Sequence, residues 1–154
     1  MRFVFLGILF VAIALLGAAA VCSPEILNNN DFLALFLSHQ LLSILAIIVT
    51  VTAASSANLH LAFNRAEEVS GKEGLFDDAR KEVNRGAVLL LVLFLVALTA
   101  LLIQSGINGL PILEASISAA LLILLLVNVL VLIDLTLTIF AVHPLLNSAK
   151  QKRP

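Results

Sequence analysis

Residues 86–103, GAVLLLVLFLVALTALLI, form an apolar stretch without a single charged side chain. About 20 such residues in a helix cross the roughly 30 Å hydrocarbon core of a bilayer. The chain as a whole is 61% hydrophobic and only 12% charged, whereas about a quarter of the residues of a soluble domain are charged. The sequence therefore predicts an all-α integral membrane protein, a four-span helical bundle with spans at about residues 3–21, 32–63, 86–105 and 112–142.

The positively charged residues fall on alternate connections between these spans. Arg2 precedes the first span, and Lys150, Lys152 and Arg153 follow the fourth. Five basic residues lie between the second and third spans: Arg65, Lys72, Arg80, Lys81 and Arg85. The connections near residues 22–31 and 106–114 contain no Lys or Arg. Because short cytoplasmic loops are enriched in Lys and Arg, this alternation predicts cytoplasmic N- and C-termini. The expected location is a plasma membrane, such as the bacterial inner membrane.

The second and third spans are expected to form one extended helical hairpin. The helical pattern of the second span continues past the membrane to about Glu68 without a Gly or Pro. Residues 70–74 (SGKEG) indicate a turn, and a return helix begins near Leu75 or Phe76. The second helix is thus longer than a bilayer is thick, so a hairpin tip at about residues 65–85 is predicted to project into the cytoplasm. Its charged residues are candidates for partner binding: Lys72, Glu73, Asp77, Asp78, Arg80 and Lys81.

The remaining connections are short. Asn30 or Asp31 is a good N-cap for the second span, because its side chain can accept a hydrogen bond from a free backbone N–H. The turn at residues 106–111 makes the third and fourth spans antiparallel neighbours. The fourth span is expected to stop at His143-Pro144, before a polar cytoplasmic tail at residues 145–154.

The first span has an alternative interpretation as a cleaved secretory signal. Met1-Arg2, an apolar run and three alanines ending at Ala20 resemble such a signal. The uncharged run from Phe3 to Val21 is longer than the 7–15 residues usual for a signal core, which favours a retained helix. Cleavage would not change the side to which any later loop is assigned.

The second span carries a stripe of small and polar residues at alternating steps of four and three. One interpretation is an internal seam, on which the span packs against its own bundle. The other is a water-filled path or a subunit interface, favoured by the ionisable residues at both ends. The members of the stripe are His39, Ser43, Ala46, Thr50, Ala53, Ala57, His60 and Asn64.

Two polar residues interrupt the fourth span. Asn128 is expected to form a hydrogen bond between helices. Asp134 is costly in an apolar environment, and it is expected to face the bundle and pair with His60 or Arg65. This carboxylate fixes the register of the bundle or responds to protons or ions; simple solvation at the interface is a third possibility.

Several function classes find no support in the sequence. No nucleotide-binding, metalloprotease or nucleophile-elbow motif occurs, and a net charge of −1 offers no basic face for nucleic acid. No cofactor or metal site is expected, since His39 and His60 stand about 30 Å apart along one helix. An intramembrane enzyme using His60 and Asp134 is a minor alternative.

The expected function is helix–helix assembly within the lipid bilayer, as an oligomeric or accessory membrane subunit without enzymatic activity. Its partner would be a second copy of the chain or another membrane or cytoplasmic protein. The alternative is a pore or ion channel lined by the small and polar stripe of the second span.

Overall fold

A computed structural model describes residues 2–71, 74–107 and 110–151 of the chain. Almost all of these residues are helical, and none of them lies in a β-strand. The helices are α1 (Arg2–Cys22), α2 (Glu25–Asn28), α3 (Asp31–Leu35), α4 (Leu41–Ser70), α5 (Asp77–Gly106) and α6 (Pro111–Gln151).

Four of these helices are long and apolar enough to cross a membrane, namely α1, α4, α5 and α6. Their apolar residues recur all around the helix rather than on one narrow face, as expected for segments whose outer surface meets lipid. The prediction of an all-helical chain with four helices of spanning length is therefore confirmed.

The segment that leads into α4 is a continuous but irregular helix. The side-chain oxygen of Asn30 accepts a hydrogen bond from the backbone N–H of Leu33 at 3.1 Å, so the predicted N-cap is confirmed. A π-helical turn, Phe36–Gln40, then separates α3 from α4. Such a turn inserts one extra residue into the helical ladder and was not anticipated from the sequence.

The predicted turn between the second and third spans is also present. Gly71 and Gly74 have φ angles of +62° and +76°, a conformation that is strained for residues with a Cβ. Glycine at these two positions therefore lets α4 end at Ser70 and α5 begin at Asp77.

Helix α6 extends further than the sequence indicated. It continues through His143 and Pro144 to Gln151, so the helix itself runs past residue 142, where the predicted span ends, and includes most of the predicted tail. The ring of proline fixes φ close to its helical value, which allows a helix to continue past it at the cost of one backbone hydrogen bond.

The chain divides into two compact units. Unit 1 comprises Met1–Ile47 and Val92–Leu130. Its core contains two clusters of buried apolar residues, one of which includes Ala20 at the end of α1 and Leu27 of α2. The other cluster joins the beginning of α4 to α5 and α6 through Leu37, Leu41, Leu45, Ala97 and Leu121.

Unit 2 comprises Ile48–Leu91 and Val131–Pro154. Phe63, Ala66 and Phe76 form its buried cluster beside the turn. Farther along α5, a Cβ atom added to Gly86 would lie only 2.5 Å from Cδ1 of Leu135 on α6. The absence of a side chain at Gly86 thus lets these two helices approach closely.

Candidate functional site

The small and polar stripe of the second span, whose members after His39 lie on α4 and which we call the α4 stripe, lies mainly on the outside of the chain. Ala46 and His60 are half-buried, and the side chain of His39 lies outside the described part of the structure. The other members are exposed: Ser43, Thr50, Ala53, Ala57 and Asn64.

A different face of α4 packs against the rest of each unit. At about 100° per residue, this buried face lies roughly a third of a turn away from the stripe. It is mostly large and apolar in unit 1, where packing against helices of the same chain needs volume. Its buried members are Leu41, Leu45, Thr52, Ser56, Phe63 and Ala66.

The exposure of most members does not support the interpretation of the stripe as an internal seam, which stays a prediction. Spacing alone showed that the small residues share one face, but it did not show where that face points. Leucine and phenylalanine bury more apolar surface than alanine or serine, and the chain places them on its inner face. The small, partly polar face is exposed on the surface of the chain.

A network of polar side chains closes the hairpin tip within unit 2. The guanidinium group of Arg80 donates to Oδ1 of Asn64 and to Oε2 of Glu67, each at 2.7 Å. Oε1 of Glu67 accepts from the backbone N–H of Phe76 at 3.2 Å. Glu67 at the end of α4 thus binds both the first turn of α5 and the residue that precedes it.

Aromatic packing lies directly beside this network. The rings of Phe63 and Phe76 stack with centroids 5.1 Å apart and an interplanar angle of 11°. The ring of His60 meets Phe63 edge-on at 6.5 Å. The three rings tie the end of α4 to the residues before α5, so that His60 takes part in packing rather than pairing with Asp134.

The position of Glu67 affects its acidity. Glu67 lies beyond the predicted second span, in the hairpin tip. Desolvation raises the pKa of its carboxyl group, but the hydrogen bonds from Arg80 and Phe76 and the positive charge of Arg80 together outweigh it. The pKa of Glu67 consequently lies below its ordinary value of 4.5.

The predicted tip residues have unequal roles. Arg80 is half-buried in the network, whereas Asp77, Asp78 and Lys81 are exposed. Lys72 and Glu73 lie outside the described residues. Glu67 was not among the residues predicted from the sequence, although opposite charges on the two arms of a predicted hairpin are a signal that could have identified it.

Asp134 does not occupy the predicted position. Its side chain is exposed, and it forms no ion pair with His60, Arg65 or any other residue in the described ranges. The next residue, Leu135, is buried against Gly86 instead. One residue is about 100° of helical rotation, so burial of Leu135 turns Asp134 outward.

Asn128 is buried but is not bonded between helices in the way predicted. Its Nδ2 donates to the backbone oxygen of Leu124, one turn earlier in the same helix, at 2.9 Å. Its Oδ1 is one of three buried polar atoms without a hydrogen-bond partner in the described structure. The other two are the hydroxyl oxygens of Thr52 and Ser56, four residues apart on α4.

Unit 1 contains a second polar layer beside the turn between α5 and α6. Nε2 of Gln104 donates to the hydroxyl of buried Ser118 at 3.1 Å, and Nδ2 of Asn28 donates to the carbonyl of Pro111 at 2.8 Å. Glu114 lines a cavity of about 430 Å³ together with Leu27, Asn28, Gln104 and Ser118. The hydrogen bonds attach α2 and α5 to the first turns of α6.

No cluster of three potential metal ligands occurs within the part of the chain that the structure describes. The described residues include an outward-facing stripe, a closed polar network at the hairpin tip, a polar layer in unit 1 and several buried polar groups. Searches of protein-family models, curated proteins and solved structures find nothing that matches this chain.

Proposed function

We propose that this chain is an integral membrane protein that acts by helix–helix assembly, as an oligomeric or accessory membrane subunit without enzymatic activity. The observation that carries this proposal is the outward orientation of the α4 stripe. A helix that presents one exposed face of small and polar residues is suited to close contact with another helix.

The physical argument rests on the bilayer as solvent. Lipid tails are as apolar as leucine, so burial of apolar surface alone does not bring helices together there. Small side chains such as Ala53 and Ala57 permit close backbone approach, and hydroxyl groups such as that of Thr50 can bond across the contact. By contrast, the neighbouring exposed residues Ile47 and Val51 are typical of a surface that faces lipid.

The proposed threading follows the charge alternation of the sequence. The hairpin tip around residues 65–85 and both termini lie in the cytoplasm, and the turns near residues 22–31 and 106–111 lie outside. The substitutions Lys81→Cys and Ser105→Cys, each made separately in a chain with Cys22→Ser, test this threading. A membrane-impermeant thiol reagent added to intact cells should modify the second and spare the first; the reverse result would refute the threading.

Assembly is tested by substitutions that enlarge the stripe. Ala53→Leu or Ala57→Leu should reduce association of the full chain in a native-like membrane mimic, because an isobutyl side chain in place of a methyl group keeps the partner helix farther away. Val51→Leu, at a residue that is 56% exposed on another face, is the matched control. Unchanged particle mass for all three variants would rule out the stripe as an assembly surface.

A pore is the second candidate, because Thr50 and Asn64 place polar groups on the exposed stripe. In a ring of copies with this face inward, these groups would line a common path. Thr50→Leu should then abolish conductance in a reconstituted bilayer. If the wild-type chain assembles but never conducts, the accessory role stands and the pore does not.

A further inference from the structure

Two opposite charges lie at one level on the outside of unit 2. Arg85 on α5 and Asp134 on α6 are both exposed, and neither forms an ion pair with the residues that the structure describes. Each directly precedes a member of the close contact between Gly86 and Leu135. The two charges therefore stand on neighbouring helices, beside the point where those helices approach each other.

The handedness of the helices places both charges on the same side of this helix pair. Helix α6 returns after a short connection, so it runs antiparallel to α5. In a right-handed helix, the residue just before a contacting residue points about 100° away from the contact. In an antiparallel pair, these two preceding residues point to the same side of the pair. Val83 and Leu90, the buried residues of α5 in unit 2, lie roughly 150° around the helix from Arg85.

We propose that this side of α5 and α6 binds a second copy of the chain, with Arg85 of each copy against Asp134 of the other. Copies that share one orientation in a membrane are related by a twofold axis along the membrane normal. Rotation about that axis sets α5 of one copy opposite α6 of the other. The positive group then meets the negative group twice, at matched depth.

The setting of these charges supports pairing. Arg85 lies just over 20 residues before the end of α5, and Asp134 lies just over 20 residues after the start of α6. About 20 helical residues cross the hydrocarbon core, so both charges fall near its far edge. A charge at that edge is partly desolvated, so leaving it unpaired against lipid is costly. The exposed apolar residues Leu89, Ile133 and Leu137 flank the pair and supply contact area.

Reversal of each charge in separate chains gives a direct test. Chains carrying Arg85→Asp or Asp134→Arg should each lose self-association in liposomes by more than about tenfold, because like charges then face each other. Mixing the two variants, labelled with different fluorophores, should restore energy transfer, since both contacts of the mixed dimer are again complementary.

A control variant isolates the position of the charge from its sign. Arg65→Asp removes an exposed basic residue of α4 in the same unit and should leave the dimer intact. If a reversal prevents membrane insertion, Arg85→Gln and Asp134→Asn replace it and should still weaken association. A monomeric wild-type chain, self-association of the reversed variants at the wild-type level, or failure of the mixture to pair would each overturn the proposal.

This interface lies on a different face from the α4 stripe, and it rests on the proposed function because it requires an oligomeric chain in a membrane. Loss of association on enlarging Ala53 with normal behaviour of the charge variants would remove this inference and leave the proposed function in place. The opposite result would remove the α4 stripe as the assembly surface and leave this inference in place.

Discussion

Glu67 and Arg80 form an ion pair of 2.7 Å across the turn between α4 and α5, with only 12% and 24% of their side chains exposed. The two carboxylate oxygens of Glu67 have different donors: one accepts from the guanidinium group of Arg80 and the other from the backbone N–H of Phe76. The pair therefore fixes both the direction and the starting point of the return helix.

Removal of Arg80 should loosen the hairpin tip while leaving the apolar helices folded. Arg80→Ala deletes the donors to Asn64 and Glu67 and leaves a shielded carboxylate without its cation. Limited proteolysis between residues 68 and 78 should accelerate roughly several-fold, because the tip then opens more often. Lys81→Ala, at an exposed neighbour, is the control and should change the rate little.

The closed tip should also depend on pH. The pKa of Glu67 is lower in the folded chain than its ordinary value of 4.5, so the ionised form is the one that the fold favours. Its stabilising contribution is present above that ordinary value and disappears as the pH falls through the lower folded value. Protease sensitivity should therefore rise below about pH 4.5, and Glu67→Gln should weaken this dependence; an unchanged pH profile in that variant would contradict the assignment.

Gly86 should tolerate substitution poorly because of Leu135. Gly86→Ala creates a contact that requires Leu135 to change rotamer, and Gly86→Leu cannot be accommodated without separating α5 from α6. Overpacking of this kind costs about 1–3 kcal/mol, measurable as a lower thermal midpoint in detergent. Gly17→Ala, which would meet nothing within 4 Å, is the control, and Leu135→Ala should partly rescue Gly86→Ala.

Asn128 should be replaceable by an apolar residue of similar size. Its Oδ1 is buried without a hydrogen-bond partner among the described residues, and such a group costs about 1–3 kcal/mol. Asn128→Leu is therefore expected to raise the thermal midpoint or leave it unchanged. A clear decrease would show that the amide oxygen accepts a hydrogen bond, for instance from an ordered water molecule.

The candidate sites were only partly predictable from the sequence. The α4 stripe was recognisable as a face because helical periodicity depends only on spacing. Its orientation was not, because that depends on which of two faces, Leu41-Leu45-Phe63 or Ala53-Ala57, gains more by packing inside the chain. The same limit explains Asp134, whose direction is set by the fit of Leu135 against Gly86 rather than by its own charge.

By itself the sequence determined the four apolar helices, the turn at Gly71–Gly74 and the cap at Asn30. Each of these follows from local chemistry: the length of an uncharged run, the backbone freedom of glycine, or a side chain that reaches a backbone N–H three residues away. Tertiary structure alone decided which side chains face each other. Those contacts depend on how well surfaces from different helices fit together, which local sequence does not specify. They join Glu67 to Arg80, Phe63 to Phe76 and Gly86 to Leu135.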